Sequence, residues 1–133
     1  MFKFEKLDIW QRAMDYADFV YRLTMSFPSE ERFGLTSQLR RSAVSVSSNI
    51  AEGSSRSSSA DMGRFIEIAY GSLLESVSEL EIAKRQRFLS EENFQAAYSR
   101  AENLSKMLSG FRRTLKRNPE LSALNSQLSG DNS

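Results

Sequence analysis

The chain of 133 residues is long enough for one domain, and its 40% hydrophobic and 26% charged residues are typical of a globular protein. It contains no cysteine and no histidine, which excludes disulfides, thiolate metal sites and Ser-His or Cys-His nucleophiles. The formal net charge is only +1, so any attraction to nucleic acid depends on where the cations lie. We therefore expect a protein that is not an enzyme and that uses no cofactor or metal.

Four segments have apolar residues at three- and four-residue spacing, which predicts four helices at about 7–25, 35–53, 60–87 and 94–118. Because the connections are short, we predict an all-α fold, a single antiparallel up-down-up-down four-helix bundle. We expect this bundle to cover residues 1–118 and residues 119–133 to form a disordered tail.

The N-terminus lacks the apolar run of a signal peptide. No stretch approaches the roughly 18 apolar residues that a membrane span requires. We therefore expect a cytoplasmic protein that has no membrane partner.

The first helix has two neighbouring apolar stripes, which together cover roughly 200° of its circumference. This arc is wider than one core contact needs. The second helix adds small side chains that permit a neighbouring helix to approach closely. Both features predict a cyclic homo-oligomer, a ring of bundles. The two stripes comprise Leu7, Trp10, Met14, Ala17, Tyr21 and Thr24, and Ile9, Tyr16, Phe19 and Leu23.

Helix ends are marked by residues that favour capping. Gly53 is expected to cap the end of the second helix. A serine within 54–59 is expected to cap the start of the third helix, and Ser90 that of the fourth.

Two carboxylates of the third helix, Glu75 and Glu79, lie one turn apart. A dinuclear metal site in a helix bundle would also require Glu-x-x-His motifs, which this chain cannot form. We interpret the pair as a solvated or subunit-facing polar stripe, with no catalytic role.

A second polar stripe follows one line of the second helix. It admits three interpretations: a structural role in the bundle or between subunits, simple solvation, or ligand contact. Its last residue is an acid near a helix C-terminus, where the helix dipole disfavours negative charge, so we expect a compensating arginine. Arg41, Arg56 or an arginine of another subunit are the candidates. The stripe consists of Gln38, Arg41, Ser45, Asn49 and Glu52.

Cations are concentrated near the ends of the third and fourth helices. Cations favour helix C-termini because of the dipole, which is one sufficient explanation. The other is a surface for the phosphate backbone of a nucleic acid. We expect the cations of the fourth helix to face outward, opposite its apolar seam. The candidates are Lys106, Arg112, Arg113, Lys116 and Arg117 on the fourth helix and Lys84, Arg85 and Arg87 at the end of the third.

Three segments resemble a known family. Segment 33–53 reads FGLTSQLRRSAVSVSSNIAEG and is similar to the signature of four-helix-bundle proteins encoded in intervening sequences of bacterial 23S rRNA genes. Segments 4–13 and 65–75 resemble that family's first- and third-helix motifs. The resemblance covers about residues 2–116 and implies a homopentamer with no known enzymatic activity. A related branch, the accessory variability proteins of diversity-generating retroelements, implies a basic surface that engages nucleic acid and a reverse transcriptase.

Two functional hypotheses follow. The first is a non-enzymatic oligomer that binds structured RNA, or an RNA–protein complex, through its basic helix ends. The alternative is a purely structural scaffold for protein–protein interaction. A hydrolase or nuclease is the least favoured class, because it would need a carboxylate-bound metal.

Overall fold

The computed structural model describes residues 1–117, which form four α-helices and, within that range, no β-strand. These helices confirm the predicted four-helix fold, and the second has the predicted bounds. The expected disordered tail at 119–133 lies outside the described residues. The helices are α1 (Asp8–Thr24), α2 (Leu35–Gly53), α3 (Ser59–Arg85) and α4 (Glu91–Arg117), with short 3-10 helices at Lys3–Lys6 and Ser29–Glu31.

Each helix packs against the next one in sequence, and α4 returns to α1, which closes the antiparallel bundle. The contact between α2 and α3 is the most extensive of the four, and that between α1 and α4 is the smallest. We call the end that carries the 54–58 connection the linker end. The opposite end, with connections 25–34 and 86–90, is the hairpin end.

The core face of α1 takes residues from both predicted stripes. Tyr16 of the second stripe and Ala17 of the first are buried, whereas Met14 and Tyr21 of the first stripe are each 43% exposed. The side chain of Tyr16 can point into the core because its hydroxyl forms a buried hydrogen bond with Ser76 Oγ at 2.7 Å. Ser76 belongs to α3, the helix diagonally opposite α1. The broad apolar arc is therefore divided between the core and the surface.

Helices α2 and α3 approach each other closely because small residues line their contact. Ser42 and Ser47 are buried within the bundle, so the helix that they allow to approach is α3, and this part of the small-residue face is not free for another subunit. A Cβ atom added to Gly53 would lie 2.8 Å from Cβ of Phe65. Gly53 is thus required for close packing, and its predicted role as the cap of α2 is wrong because it is the last helical residue and Ser54 is the cap.

Serine caps begin the two long helices, as predicted. Ser58 Oγ accepts a hydrogen bond from the Asp61 amide at 3.1 Å at the start of α3. Ser90 Oγ accepts one from the Asn93 amide at 3.0 Å at the start of α4. Each bond satisfies a backbone N–H that has no partner within its helix.

The end of α3 is closed by a left-handed residue, Arg87, with φ of 62°. The Phe88 amide donates to the Ala83 carbonyl at 2.9 Å, and the Arg87 amide donates to the Lys84 carbonyl at 3.0 Å. This pair of bonds is the Schellman motif, which turns the chain sharply into α4.

Candidate nucleic-acid interface

The apolar seam of α4 faces the core, and this orientation places cations on its outer surface. Seam residues from Phe94 to Leu115 are buried, with Phe111 only partly so. Four cations on the opposite sector are exposed, and none of them forms an ion pair with an acid of residues 1–117. We call these four residues the α4 cation face: Lys106, Arg113, Lys116 and Arg117.

Arg112 does not belong to this face, in contrast to the expectation. Its side chain turns toward α3 and forms an ion pair with Glu67. The residue lies beside the seam rather than opposite it, so a neighbouring helix is within reach of its guanidinium. Much of its charge is therefore neutralised within the bundle.

A cavity of about 490 Å³ lies between the start of α3 and the end of α4, next to the α4 cation face. Arg64, Arg112 and Lys116 line it, together with the acid Glu67. Arg64 is 68% exposed in its side chain and pairs with Asp61 at 3.3 Å. No pattern in the sequence identifies Arg64 as part of this surface, because only the packing of α3 on α4 brings it close to Lys116.

Two of the three cations in the second predicted cluster, at the end of α3, are neutralised; the third, Arg87, is exposed and forms no ion pair with an acid of residues 1–117. Lys84 Nζ lies 3.6 Å from Glu81 and 3.5 Å from Glu91, and Arg85 Nε lies 3.5 Å from Glu81. A hydrogen bond from Gln95, assisted by Lys84, lowers the pKa of Glu91 below its ordinary value. These contacts identify local ion pairing as the main role of Lys84 and Arg85.

The two clusters lie at opposite ends of the bundle, since α3 and α4 are antiparallel. Lys84 contacts Glu91 at the first turn of α4, whereas Arg113 and Arg117 lie in its last two turns. At a rise of about 1.5 Å per residue, they are separated by roughly 35 Å along the helix axis. They cannot form one continuous site on one subunit.

The residues in the polar stripe of α2 also have different environments. Asn49 Nδ2 donates to the Ser45 carbonyl at 2.8 Å, and Ser45 Oγ lies 2.8 Å from Ser72 Oγ on α3. The residues at the centre of the stripe therefore have a structural role. Glu52 pairs with Arg56 at 3.1 Å, one of the arginines expected to compensate it. Gln38 and Arg41 are exposed.

The two carboxylates of α3 differ in their exposure to solvent. Glu75 is exposed, but Glu79 is 8% exposed and accepts a hydrogen bond from Ser42 Oγ at 2.6 Å. Burial raises the pKa of Glu79, and the charge of Glu75 raises it further, while the Ser42 bond opposes both. The interpretation of Glu79 as part of a solvated or subunit-facing stripe is therefore wrong. Since α2 presents only small side chains here, the carboxylate fits between the two helices.

Residues 1–117 contain no group of three or more acids placed to hold a metal ion. None of the helices formed by these residues is long and apolar enough to cross a membrane.

Comparison with known proteins supports the same architecture. No curated protein matches the sequence significantly. A solved structure from the S23 ribosomal protein family of Bacteroides thetaiotaomicron, described as a protein with unknown function, is similar with a TM-score of 0.72. It is 21% identical, and the match covers 80% of this chain and 99% of that one, which shows a common fold. The family model of the 23S rRNA-intervening sequence protein matches residues 5–110. This chain therefore belongs to the 23S rRNA-intervening sequence protein family.

Proposed function

We propose that this protein is a non-enzymatic, oligomeric RNA-binding protein of the cytoplasm. It binds structured RNA, or an RNA–protein complex, through the α4 cation face. The observation that carries this proposal is that four exposed cations on the second half of one helix have no carboxylate partner among residues 1–117. The family's association with 23S rRNA intervening sequences supports RNA as the ligand.

The two cation clusters predicted on α3 and α4 differ in how far their members are neutralised. At the hairpin end, Glu81 and Glu91 neutralise Lys84 and Arg85. At the linker end, Arg113, Lys116 and Arg117 remain unpaired within the described chain. Unpaired cations on a surface attract the phosphate backbone without regard to sequence and release counterions when they bind.

Oligomerisation is supported by exposed apolar residues on α3. Ile68 and Ile82 are each 47% exposed and lie fourteen residues apart, within roughly 40° of each other around the helix. Leu74 is 51% exposed and lies about 80° from Ile82 around the helix, at the edge of this face. We propose that this face contacts another copy of the chain in a ring. Such a ring repeats the α4 cation face and raises its avidity for one RNA.

The test uses a double variant, Arg113→Gln with Lys116→Gln, and a labelled RNA hairpin. We expect the affinity for the hairpin to fall. The slope of log affinity against log salt should decrease by about 1 for each cation that no longer binds a phosphate. Fluorescence anisotropy at several salt concentrations measures both quantities.

The matched control removes two charges from the other end, Arg85→Gln with Arg87→Gln, and should leave the affinity and the salt slope nearly unchanged. Equal weakening in both double variants would show that only net charge matters, which contradicts a defined face. Failure of the unmodified protein to bind the hairpin at low salt would favour the alternative function, a scaffold that binds protein partners.

A further inference from the structure

A groove at the hairpin end, between the end of α1 and the start of α2, has no part in the function proposed above. It encloses about 430 Å³. Three arginines and two aromatic residues line it, and no acid among residues 1–117 does. The groove is formed by the last turn of α1, the two residues Arg32 and Phe33 that precede α2, and the first half of α2. We call it the α1–α2 groove and define it by Tyr21, Arg32, Phe33, Arg40 and Arg41.

The arginines of the groove are not neutralised within the part of the chain that the structure describes. None of Arg32, Arg40 and Arg41 forms an ion pair with a carboxylate of residues 1–117. The nearest acid in sequence, Glu31, is engaged elsewhere, because its carboxylate accepts a hydrogen bond from the Leu35 amide at 3.1 Å. The groove is therefore a concentrated positive surface on a chain whose formal net charge is only +1.

The arginines are held over aromatic rings. The Arg40 guanidinium lies 4.6 Å from the centroid of the Tyr21 ring, and its Nε donates to Thr24 Oγ1 at 2.7 Å. The Arg32 guanidinium lies 5.0 Å from the centroid of the Phe33 ring. These contacts fix the direction of two cations that would otherwise be mobile in solvent.

Phe33 takes no part in the core of the bundle, and Arg32 is the only cation of residues 1–117 held over its ring. It is 87% exposed, the highest value among the large apolar residues of the described chain. An aromatic ring at this exposure adds nothing to the core, but it offers a flat surface on which a base can stack.

We propose that the α1–α2 groove binds single-stranded RNA, with phosphates on its arginines and an unpaired base stacked on Phe33. The combination of a cationic groove with accessible aromatic rings is the general form of a single-strand site. This site is distinct from the α4 cation face. The proposal requires that the chain bind RNA, but it does not depend on that face.

A second copy of the chain fits the groove less well than RNA does. The exposed apolar line of α3 that contains Ile68 and Ile82 carries only one exposed carboxylate, Glu75, between them. One carboxylate cannot neutralise three arginines, whereas RNA supplies one phosphate for each nucleotide.

The test compares Phe33→Ala with the unmodified protein on two labelled RNAs, a single-stranded oligouridine and a hairpin with a fully paired stem. We expect Phe33→Ala to weaken binding of the single strand by about 5-fold or more, with an unchanged salt slope, because stacking involves no counterions. Phe33→Tyr keeps the ring and should retain the affinity. Arg41→Gln should lower both the affinity and the slope.

The double variant Arg113→Gln with Lys116→Gln serves as the matched control, since it is expected to lower the affinity for the hairpin RNA. Its result tests the α4 cation face separately, so either site can fail while the other stands. Unchanged binding of the single strand by Phe33→Ala overturns the groove proposal. So does dissociation of the oligomer by Phe33→Ala in light scattering, which would identify the groove as a contact between copies.

Discussion

Buried hydroxyl groups form a short hydrogen-bonded chain at the centre of the bundle. Ser76 Oγ donates to the Leu73 carbonyl at 2.6 Å, so the Tyr16 hydroxyl must be the donor in its 2.7 Å bond to Ser76. Burial raises the pKa of Tyr16 from 10.0 to about 12, because the charged phenolate is disfavoured in the core. Removal of the Ser76 hydroxyl would leave the buried Tyr16 hydroxyl without a partner, so the pair favours one orientation of α1 relative to α3.

Glu79 gives the stability of the protein a characteristic pH dependence. Its pKa is higher in the folded state than the ordinary value of 4.5, because burial disfavours the charged form. The folded state therefore holds this proton more tightly than the unfolded state. The contribution of Glu79 to stability falls as the pH rises from about the ordinary value through the folded-state pKa.

We predict that Glu79→Gln abolishes this decline, because glutamine accepts the Ser42 hydrogen bond without a buried charge. Relative to the unmodified protein, the melting temperature of the variant should be higher by a few degrees at pH 7 and gain less at pH 4.5. Circular dichroism melts at both pH values measure the difference. The exposed residue Glu102 supplies the control, Glu102→Gln, and a difference for Glu79→Gln that is independent of pH would contradict the prediction.

At the scale of the element, the contact between α2 and α3 depends on the absence of a side chain. We predict that Gly53→Ala destabilises the protein, since the new methyl group would lie 2.8 Å from Cβ of Phe65. Overpacking costs about 1–3 kcal/mol, which exceeds the gain of up to about 1 kcal/mol from replacing glycine in a helix. Chemical denaturation measures the free energy of unfolding.

Gly63 of α3 provides the matched control, because a Cβ atom added there meets nothing within 4 Å and the residue lies away from the face of Ile68 and Ile82. Gly63→Ala should therefore stabilise the protein by about 0.5–1 kcal/mol. The same sign of change in both variants would show that helix propensity, and not the contact with Phe65, determines the effect at Gly53.

Elements were easier to predict from the sequence than the environment of individual side chains. Hydrophobic spacing and serine caps depend on residues close in sequence, so all four helices and the caps at Ser58 and Ser90 were predictable. The pairing of Arg112 with Glu67 and the burial of Glu79 depend on which turn of a neighbouring helix lies opposite. Spacing alone identifies the outer half of α4, but it cannot show which cations are neutralised.

At the scale of the whole molecule, the prediction concerns assembly. We predict that the protein forms a cyclic oligomer, with a pentamer of about 75 kDa expected from the 15.1 kDa chain. Ile68→Glu with Ile82→Glu should reduce the mass measured by light scattering to that of one chain and retain the helical circular dichroism spectrum.

The control is Met25→Glu, which places a charge at a residue 79% exposed in a connection and should leave the mass unchanged. A mass close to that of one 15.1 kDa chain for the unmodified protein at micromolar concentration would contradict the predicted ring. The α4 cation face would then gain no avidity from repetition.

The unequal contacts between helices also have a kinetic consequence. Three of the four helix pairs join neighbours in sequence, and such pairs close short loops at little entropic cost. The contact between α1 and α4 joins the first helix to the last, so almost the whole domain lies between them in sequence. It is also the smallest of the four contacts. We therefore expect folding to begin in the hairpin of α2 and α3 and to finish when α4 closes on α1. The contact between α1 and α4 should also be the first to separate when the native bundle fluctuates.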